Sequence, residues 1–280
     1  MNEVKNPPYK AFILAAGFGT RLRPVTDRMP KPMVEVNGRS LLWRTLDNLR
    51  TYGTREVVVN AHYLSEQIEA HMEEYMCVHR DMHVHVSLEE GILDTGGGIL
   101  HALDFFDEDE PFFVIAGDNL WVDEASVFGY SGKENRNETE VIHTYTSKNT
   151  GALERLAQGW RADDMDIFTL MQPISNMSLT KGVGDYDLLD DGSDGVRVRR
   201  SLDKTGSHMW TNIRLNHPRL YQDIDKEAFS FLELMDLAEK KGRFYALEQE
   251  GEWHHISAPD DLRAVDEHMR ALETGEKGVI

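Results

Sequence analysis

The chain has 280 residues, 40% of them hydrophobic, which is enough apolar material for one large domain or two smaller ones. Its formal net charge of -19 argues against a protein that works by coating nucleic acid or an anionic membrane. Any anionic substrate must instead be held by local cations and metal. A single cysteine, Cys77, excludes an intramolecular disulfide, and its setting in Glu-Tyr-Met-Cys-Val predicts a buried, unreactive thiol. Residues 1–10 are polar and contain proline, and no leader-like or membrane-spanning run is visible, so a soluble, cytoplasmic protein is expected.

In chain order, Ala11-Phe-Ile-Leu-Ala15 is short, apolar and uncharged, as a fully buried parallel strand should be. Ser40 is placed to cap a helix carrying Leu42, Leu46, Leu49 and Tyr52 on one side, with Gly53 as its stop. Glu56–Asn60 predicts a second buried strand, Ser65 opens a helix with Ile68 and Met72 inward, and Val84, Val86 and Leu88 alternate as a third strand. Gly98 to Phe106 reads as helical and Phe112–Ala116 as a fourth apolar strand. Residues 124–148 are polar and glycine-containing, which suits an inserted loop or hairpin. Leu153–Trp160 predicts a helix and Ile167–Met171 a buried strand. The Gly-, Ser- and Asp-rich stretch 172–195 reads as a long, mobile loop, with short strand-like runs at Tyr186-Asp-Leu-Leu and Val196-Arg-Val. Ala228–Lys241 is helical with Phe231, Leu234, Met235 and Ala238 inward, and Phe244–Leu247 is a strand. Ser257 and Asp260 form a capping box for a last helix whose apolar face is Leu262, Val265, Met269 and Leu272. Strands separated by helices predict an α/β fold: a doubly wound, mainly parallel, mixed sheet of Rossmann-like type in a single domain. Ligands of such sheets bind beyond the C-terminal ends of the strands.

Three segments fall at those ends. The first strand empties into Gly17 and Gly19, where a missing Cβ lets backbone turn sharply and approach a ligand, and where N–H groups can face phosphate oxygens. Arg21 adds a forked cation and Lys31, inside Pro30-Lys-Pro-Met33, a mobile point charge. The string lacks the third glycine of a dinucleotide fingerprint and the Gly-Lys-[Ser/Thr] of a P-loop. Gly117-Asp118-Asn119 places a carboxylate where Mg²⁺ would share it with waters and phosphates, although the same tripeptide is good turn chemistry. Gly91 to Gly98 is a second glycine-rich loop, where bare backbone would approach a flat base and Asp94 and Thr95 would supply polar contacts. Asp185 and Asn212 are candidates for sugar hydroxyls, each with an ordinary loop role as the alternative. In Trp253-His254-His255 the strand alternation lets at most one histidine face a site.

Taken together, Leu14-Ala-Ala-Gly-Phe-Gly-Thr-Arg21 with Pro24 and Pro30-Lys-Pro32, then Thr95-Gly-Gly-Gly98, Gly117-Asp118 and the C-terminal tryptophan segment resemble, in content and order, the bacterial sugar-1-phosphate nucleotidylyltransferases. The likeness is strong over residues 10–122 and weaker but traceable over 180–272; residues 10–122 are read as a nucleotide-binding half and 165–272 as a sugar-phosphate-binding half with the C-terminal helix. It points to compact members without an appended acyltransferase domain. Among these the chain looks most like the N-acetylmuramate 1-phosphate uridylyltransferases of cell-wall recycling, with mannose-1-phosphate guanylyltransferases as the close alternative. The resemblance implies Ala15, Ala16 and Gly17 near base and ribose, and Gly19, Thr20 and Arg21 around the phosphates. It places Lys31 at the transferred or attacking phosphate, Asn60 and Thr95-Gly96 by the base, and Asp118 on Mg²⁺.

The substrates implied are a nucleoside triphosphate, UTP in the first instance, and a sugar 1-phosphate. The expected assembly is a monomer or small homo-oligomer. One departure stands out: many members carry Trp-x-Asp as the second metal ligand, and here that position is His255. Imidazole suits Mn²⁺ better than Mg²⁺, so Mn²⁺ enters as an alternative cofactor. The same departure keeps a non-catalytic sugar-nucleotide sensor as the rival reading. A nucleoside-triphosphate hydrolase is disfavoured by the missing P-loop, and a cytidylyltransferase for another acceptor stays open.

Overall fold

The uncharged run Ala11–Leu14 is β1, an interior strand of a nine-stranded sheet, in a computed structural model that describes residues 9–123, 151–189 and 196–274. The expected insertion at 124–148 lies outside the described residues. After β1 come three single helical turns (Thr20–Leu22, Val25–Asp27 and Lys31–Met33) and a two-strand clip, β2 (Glu35–Val36) and β3 (Arg39–Ser40). Helix α1 (Leu41–Tyr52) starts where expected: the Ser40 hydroxyl accepts from Trp43 N, and Gly53 ends it with φ 119°. Next are β4 (Glu56–Ala61), α2 (Ser65–Val78), β5 (His83–Leu88), α3 (Asp94–His101), β6 (Phe112–Ala116) and β7 (Asn119–Asp123). The second part holds α4 (Ala152–Gly159), β8 (Ile167–Pro173), β9 (Tyr186–Leu189), β10 (Val196–Arg200) and β11 (His208–Asn216). It closes with α5 (Leu232–Lys240), β12 (Phe244–Glu248), β13 (Gly251–His255) and α6 (Pro259–Thr274).

The strand order is β5-β4-β1-β6-β11-β8-β12-β10-β9, with β7 and β13 forming a separate antiparallel ribbon. Strands β5, β4, β1 and β6 are mutually parallel. Strand β11 then runs antiparallel between β6 and β8 and joins the first-half strands to the rest. Alternation along the parallel strands feeds two cores. Ala11, Ile13, Val57, Val59, Phe113 and Ile115 face α1, α2 and α4, whereas Phe12, Val58, Phe112 and Val114 face Ile99 of α3 and Leu234, Met235 and Ala238 of α5. A third cluster seats Val265 and Met269 of α6 on Leu22, Val34, Leu41 and Ile256, beneath the glycine loop. Among the described residues no helix is long and apolar enough to cross a membrane.

Several expectations need correction. Helix α3 begins at Asp94, so the three glycines are inside a helix rather than in a loop before it. Helix α2 does begin at Ser65, as expected, with Leu64 at φ 52° before it. Helix α5 begins at Leu232, four residues later than the apolar pattern suggested, because Phe229 and Phe231 pack from the preceding segment. The cap of α6 is made by Asp261 rather than Asp260: Asp261 Oδ2 accepts from Ser257 N, Ser257 Oγ and Ala258 N at 2.8–2.9 Å. Leu88 is exposed because β5 is the sheet's edge strand. Cys77 is exposed, since it sits on the outer face of α2 away from Ile68, Met72 and Tyr75. Within the stretch expected to be one long loop, β8 extends to Pro173 and a helical turn covers Ile174–Asn176, whereas the strand-like runs expected at Tyr186 and Val196 are β9 and β10, which pair with each other.

Candidate functional site

Strands β1, β4 and β6 are parallel neighbours, so the segments that leave them emerge at one edge of the sheet. A cavity of about 410 Å³ opens there. Its lining includes Ala15, Ala16, Gly17, Gly19, Thr20, Arg21, Lys31, Asn60, Asp94, Thr95, Asp118 and Asn212. Twelve of the fifteen expected site residues are thus brought to one wall system; Gly96, Asp185 and His255 are not among the lining residues.

The glycine loop is built for approach from the cavity. A Cβ on Gly17 would meet no protein atom within 4 Å, so the space beside it belongs to the cavity. Gly19 is glycine for another reason: its φ is +61°, and a Cβ would lie 2.9 Å from Lys31 Cβ. Its carbonyl accepts from Thr26 Oγ1 at 2.8 Å, which draws the turn back onto the chain. Lys31 is thereby pressed under the loop, with its side chain only 11% exposed. A cation so nearly buried requires a counter-charge. Asp118 supplies it, accepting from Lys31 Nζ through Oδ2 at 2.5 Å. Gly117 N donates to Leu14 O at 2.9 Å, which fixes the first residue after β6 against the end of β1.

Asn60 closes the opposite wall. Its Oδ1 accepts from Ala15 N at 2.6 Å and its Nδ2 donates to Glu89 Oε1 at 2.6 Å. Glu89 also accepts from Leu93 N, and its carbonyl meets His62 Nδ1 at 2.9 Å. Glu89 is a buried lining residue that sequence reasoning did not single out. Its only signal was position, at the end of a strand parallel to β4, and Glu90 beside it looks identical in sequence. Gly98 is required here, since a Cβ would fall 2.5 Å from Glu89 Oε1 and 2.7 Å from Asn60 Nδ2.

The other two glycines of the triplet face protein and not ligand. A Cβ on Gly96 would lie 2.3 Å from the Phe229 ring, and one on Gly97 would lie 2.3 Å from Glu227 O. Gly96 N and Gly97 N both donate to Phe229 O, which satisfies orphan donors of the first turn of α3. Thr95 Oγ1 accepts from Phe231 N at 2.9 Å, and Asp94, at φ 59°, accepts from Thr95 N. The backbone expected to approach a base is therefore packed against the segment that leads into α5, leaving Asp94 and Thr95 at the cavity.

Asn212 reaches the cavity from β11, where the register with β8 shifts between Trp210 and Arg214. Its φ of 60° is left-handed, a conformation that asparagine tolerates better than most residues. Its Oδ1 accepts from Arg214 Nη1, a guanidinium with no solvent exposure that stacks 3.9 Å from the Phe231 ring centroid and donates to Asn216 Oδ1. Burial lowers the Arg214 pKa to about 10, so it stays a cation at neutral pH. Asp185, by contrast, ion-pairs with Lys204 at 2.6 Å and accepts from Ser201 N through its carbonyl.

His255 lies one step along β13 from His254, and the pleat sends the two to opposite faces, as expected. His254 is buried against Glu252 and His268. His255 is half-buried, pairs in register with Asn119, and feels the charges of Lys31, Asp118 and Arg21. Burial first, and then Lys31, hold its imidazole below the ordinary histidine value, so it is neutral at pH 7 with a lone pair to offer. One carboxylate, with a neutral imidazole nearby, is a donor set that fits a divalent cation keeping most of its positions for waters and phosphates.

Comparison with known proteins shows what the chain and its fold are similar to. Over 265 residues the chain is 28% identical to an N-acetylmuramate alpha-1-phosphate uridylyltransferase of Caulobacter vibrioides, covering 94% of this chain and 97% of that one. It is 36% identical over 110 residues to a mannose-1-phosphate guanyltransferase of Neurospora crassa, a match covering 39% of this chain and 30% of the relative. The fold superposes on the crystal structure of HddC from Yersinia pseudotuberculosis complexed with GMP-PN with a TM-score of 0.65, at 21% identity, covering 93% of this chain and 99% of that one. The model of the nucleotidyl transferase family matches residues 10–151, which hold the glycine loop, Lys31, Asn60 and Asp118, and the chain belongs to that family.

Proposed function

We propose that the protein joins a nucleoside triphosphate to a sugar 1-phosphate, giving a nucleotide sugar and pyrophosphate. The observation that carries this reading is the Lys31–Asp118 pair set beneath the glycine loop, with Arg21 on the same cavity. UTP and N-acetylmuramate 1-phosphate are the favoured substrates, because the uridylyltransferase likeness runs through nearly the whole chain, whereas the guanyltransferase likeness covers 39% of it. GTP with mannose 1-phosphate is the second reading.

In the proposed reaction a sugar-phosphate oxygen attacks the α-phosphorus in line, one P–O bond forms, and the bond to pyrophosphate breaks. The attacking oxygen is already anionic, so no general base is required. Rate comes from positioning and charge neutralisation. Backbone N–H groups of the Ala16–Thr20 turn and Arg21 hold the triphosphate, with Arg21 taking the charge that builds on the leaving group. Lys31 contacts the α-phosphoryl or the attacking phosphate, which it reaches by loosening its pair with Asp118. Asp94, Thr95 and Asn60 border the base, and Asn212 borders the sugar. Asp118, with His255 beside it, would hold a divalent cation, Mg²⁺ or Mn²⁺, which supplies further neutralisation of phosphate charge when bound.

Pyrophosphate release, measured over a matrix of nucleoside triphosphates and sugar 1-phosphates with Mg²⁺ and with Mn²⁺, tests this reading. Turnover is expected with a sugar 1-phosphate as acceptor. Arg21→Ala should lower kcat by about 10²–10³-fold with an unchanged Tm; Asp118→Ala should lower kcat by a similar factor and also lower Tm, because it strips the nearly buried Lys31 of its counter-charge. Near-normal turnover in either variant would remove the assigned role, and tight nucleotide binding without turnover for any pair would point to a sensor.

A further inference from the structure

Glu252 and His254 are two residues apart on β13, so the alternation that sends His255 to one face of the strand sends both of them to the other. They meet α6 there, and His268 completes a group of three. His268 Nε2 lies 2.6 Å and His254 Nε2 3.0 Å from the same oxygen, Glu252 Oε2. The three ligand atoms all lie within 4.8 Å of one another. The ring centroids of the two histidines are 5.7 Å apart at 69°, so the imidazoles converge on the carboxylate from different directions. His254 is buried, while the Glu252 side chain is 41% exposed, which leaves one side open to water.

We propose that Glu252, His254 and His268 form a second divalent-metal site, of the zinc class, separate from the cation associated with Asp118. The donor set decides the metal. Two imidazoles and one carboxylate suit Zn²⁺ and are poor for Mg²⁺ or Ca²⁺, which prefer oxygen. Geometry agrees: Zn–N and Zn–O bonds of about 2.0–2.1 Å at tetrahedral angles set ligand atoms about 3.3 Å apart. The two carboxylate–imidazole separations of 2.6 and 3.0 Å would open by about 0.7 and 0.3 Å to reach that spacing. Water takes the fourth position on the exposed side. Loading the site requires each Nε2 to present a lone pair to the metal, so a proton shared there with Glu252 leaves that nitrogen.

The site's work is structural. It bonds α6 to β13, and α6 carries Val265 and Met269 onto Leu22 and Leu41, the apolar support of the glycine loop. Binding that is confined to the folded chain raises Tm by mass action.

The test uses the full chain, freed of metal by chelation and then given Zn²⁺ or Co²⁺ alone. One tightly held equivalent of Zn²⁺ by elemental analysis, the visible absorption of four-coordinate Co²⁺, and a Tm rise of roughly 5–10 °C at hundredfold excess over Kd are expected. All three should vanish in His268→Gln and in Glu252→Gln, and persist in Asp118→Ala. Glu252→Gln changes charge with little change of shape and guards against a folding defect in the histidine variant. Absence of a tight equivalent, or its loss in Asp118→Ala with retention in His268→Gln, would overturn the assignment and leave the three side chains as a hydrogen-bonded clasp.

Discussion

A Cβ added to Gly17 would meet no protein atom within 4 Å, whereas one added to Gly96 would stand 2.3 Å from the Phe229 ring. The same residue type therefore serves a ligand in one place and the core in the other. Gly17→Ala should leave Tm unchanged and weaken nucleotide binding, because the new methyl projects into the cavity. Gly96→Ala should do the reverse: the overpacked ring costs about 1–3 kcal/mol, or some 2–4 °C of Tm per kcal/mol, with nucleotide affinity of the folded fraction largely kept. Thermal melts and nucleotide titrations of the pair check this, and a Gly17→Ala variant with unaltered affinity would contradict the cavity reading. The cradle residues were legible because Gly17, Gly19, Arg21 and Lys31 sit close together in sequence after an apolar strand. The reason for Gly96 was not, since Phe229 is 133 residues away and nothing local announces it. Glu89 was invisible on the same ground, and so was the ion pair of Asp185 with Lys204.

At the scale of elements, α6 shows how a helix end is fixed. Burial alone would push the Asp261 carboxyl up, but hydrogen bonds from Ser257 N, Ser257 Oγ and Ala258 N outweigh it and hold the group below the ordinary aspartate value. A depressed carboxyl stabilises the fold above the unfolded value near 4 and ceases to do so as pH falls through the folded one. Asp261→Ala should thus cost about 0.5–2 kcal/mol at pH 7 by chemical denaturation, with the deficit narrowing below pH 4. A deficit that does not change with pH would mean that the carboxylate's charge is irrelevant to the cap. Strands β1, β4 and β6 were legible because they are buried on both faces and read as unbroken apolar runs. Strand β11 was missed although, at nine residues, it is the longest among the described residues. Its buried positions include His208, Thr211, Arg214 and Asn216, each hydrogen-bonded to a partner that periodicity does not reveal.

Across the whole molecule, β11 is the seam, antiparallel to β6 on one side and to β8 on the other. The residue that follows it, His217, is buried, donates its N–H to Asp166 O, and accepts from Arg219 N through Nδ1. Asp166 in turn receives Arg219 Nε and Arg243 Nε at 2.6 and 2.8 Å, so the seam ends in a cationic patch. Burial, reinforced by Arg219, lowers the His217 pKa to about 4. His71, His79 and His255 are also held below the ordinary value, each chiefly by burial. As pH falls below about 6.5 the unfolded chain binds protons that these four sites refuse in the folded state, so stability declines from there toward pH 4. The net charge of -19 acts the other way, because protonation relieves self-repulsion. Exposed charges are screened beyond about 8 Å in 0.15 M salt and buried histidines are not, so the histidine effect should prevail. Tm in 0.15 M salt is therefore expected to be lower at pH 5 than at pH 7, with proton uptake on unfolding. His217→Asn, whose Oδ1 can accept from Arg219 N without titrating, should flatten that decline. A Tm that holds or rises between pH 7 and pH 5, or a variant with the parent's slope, would show that surface charge and not the buried seam governs the acid limb.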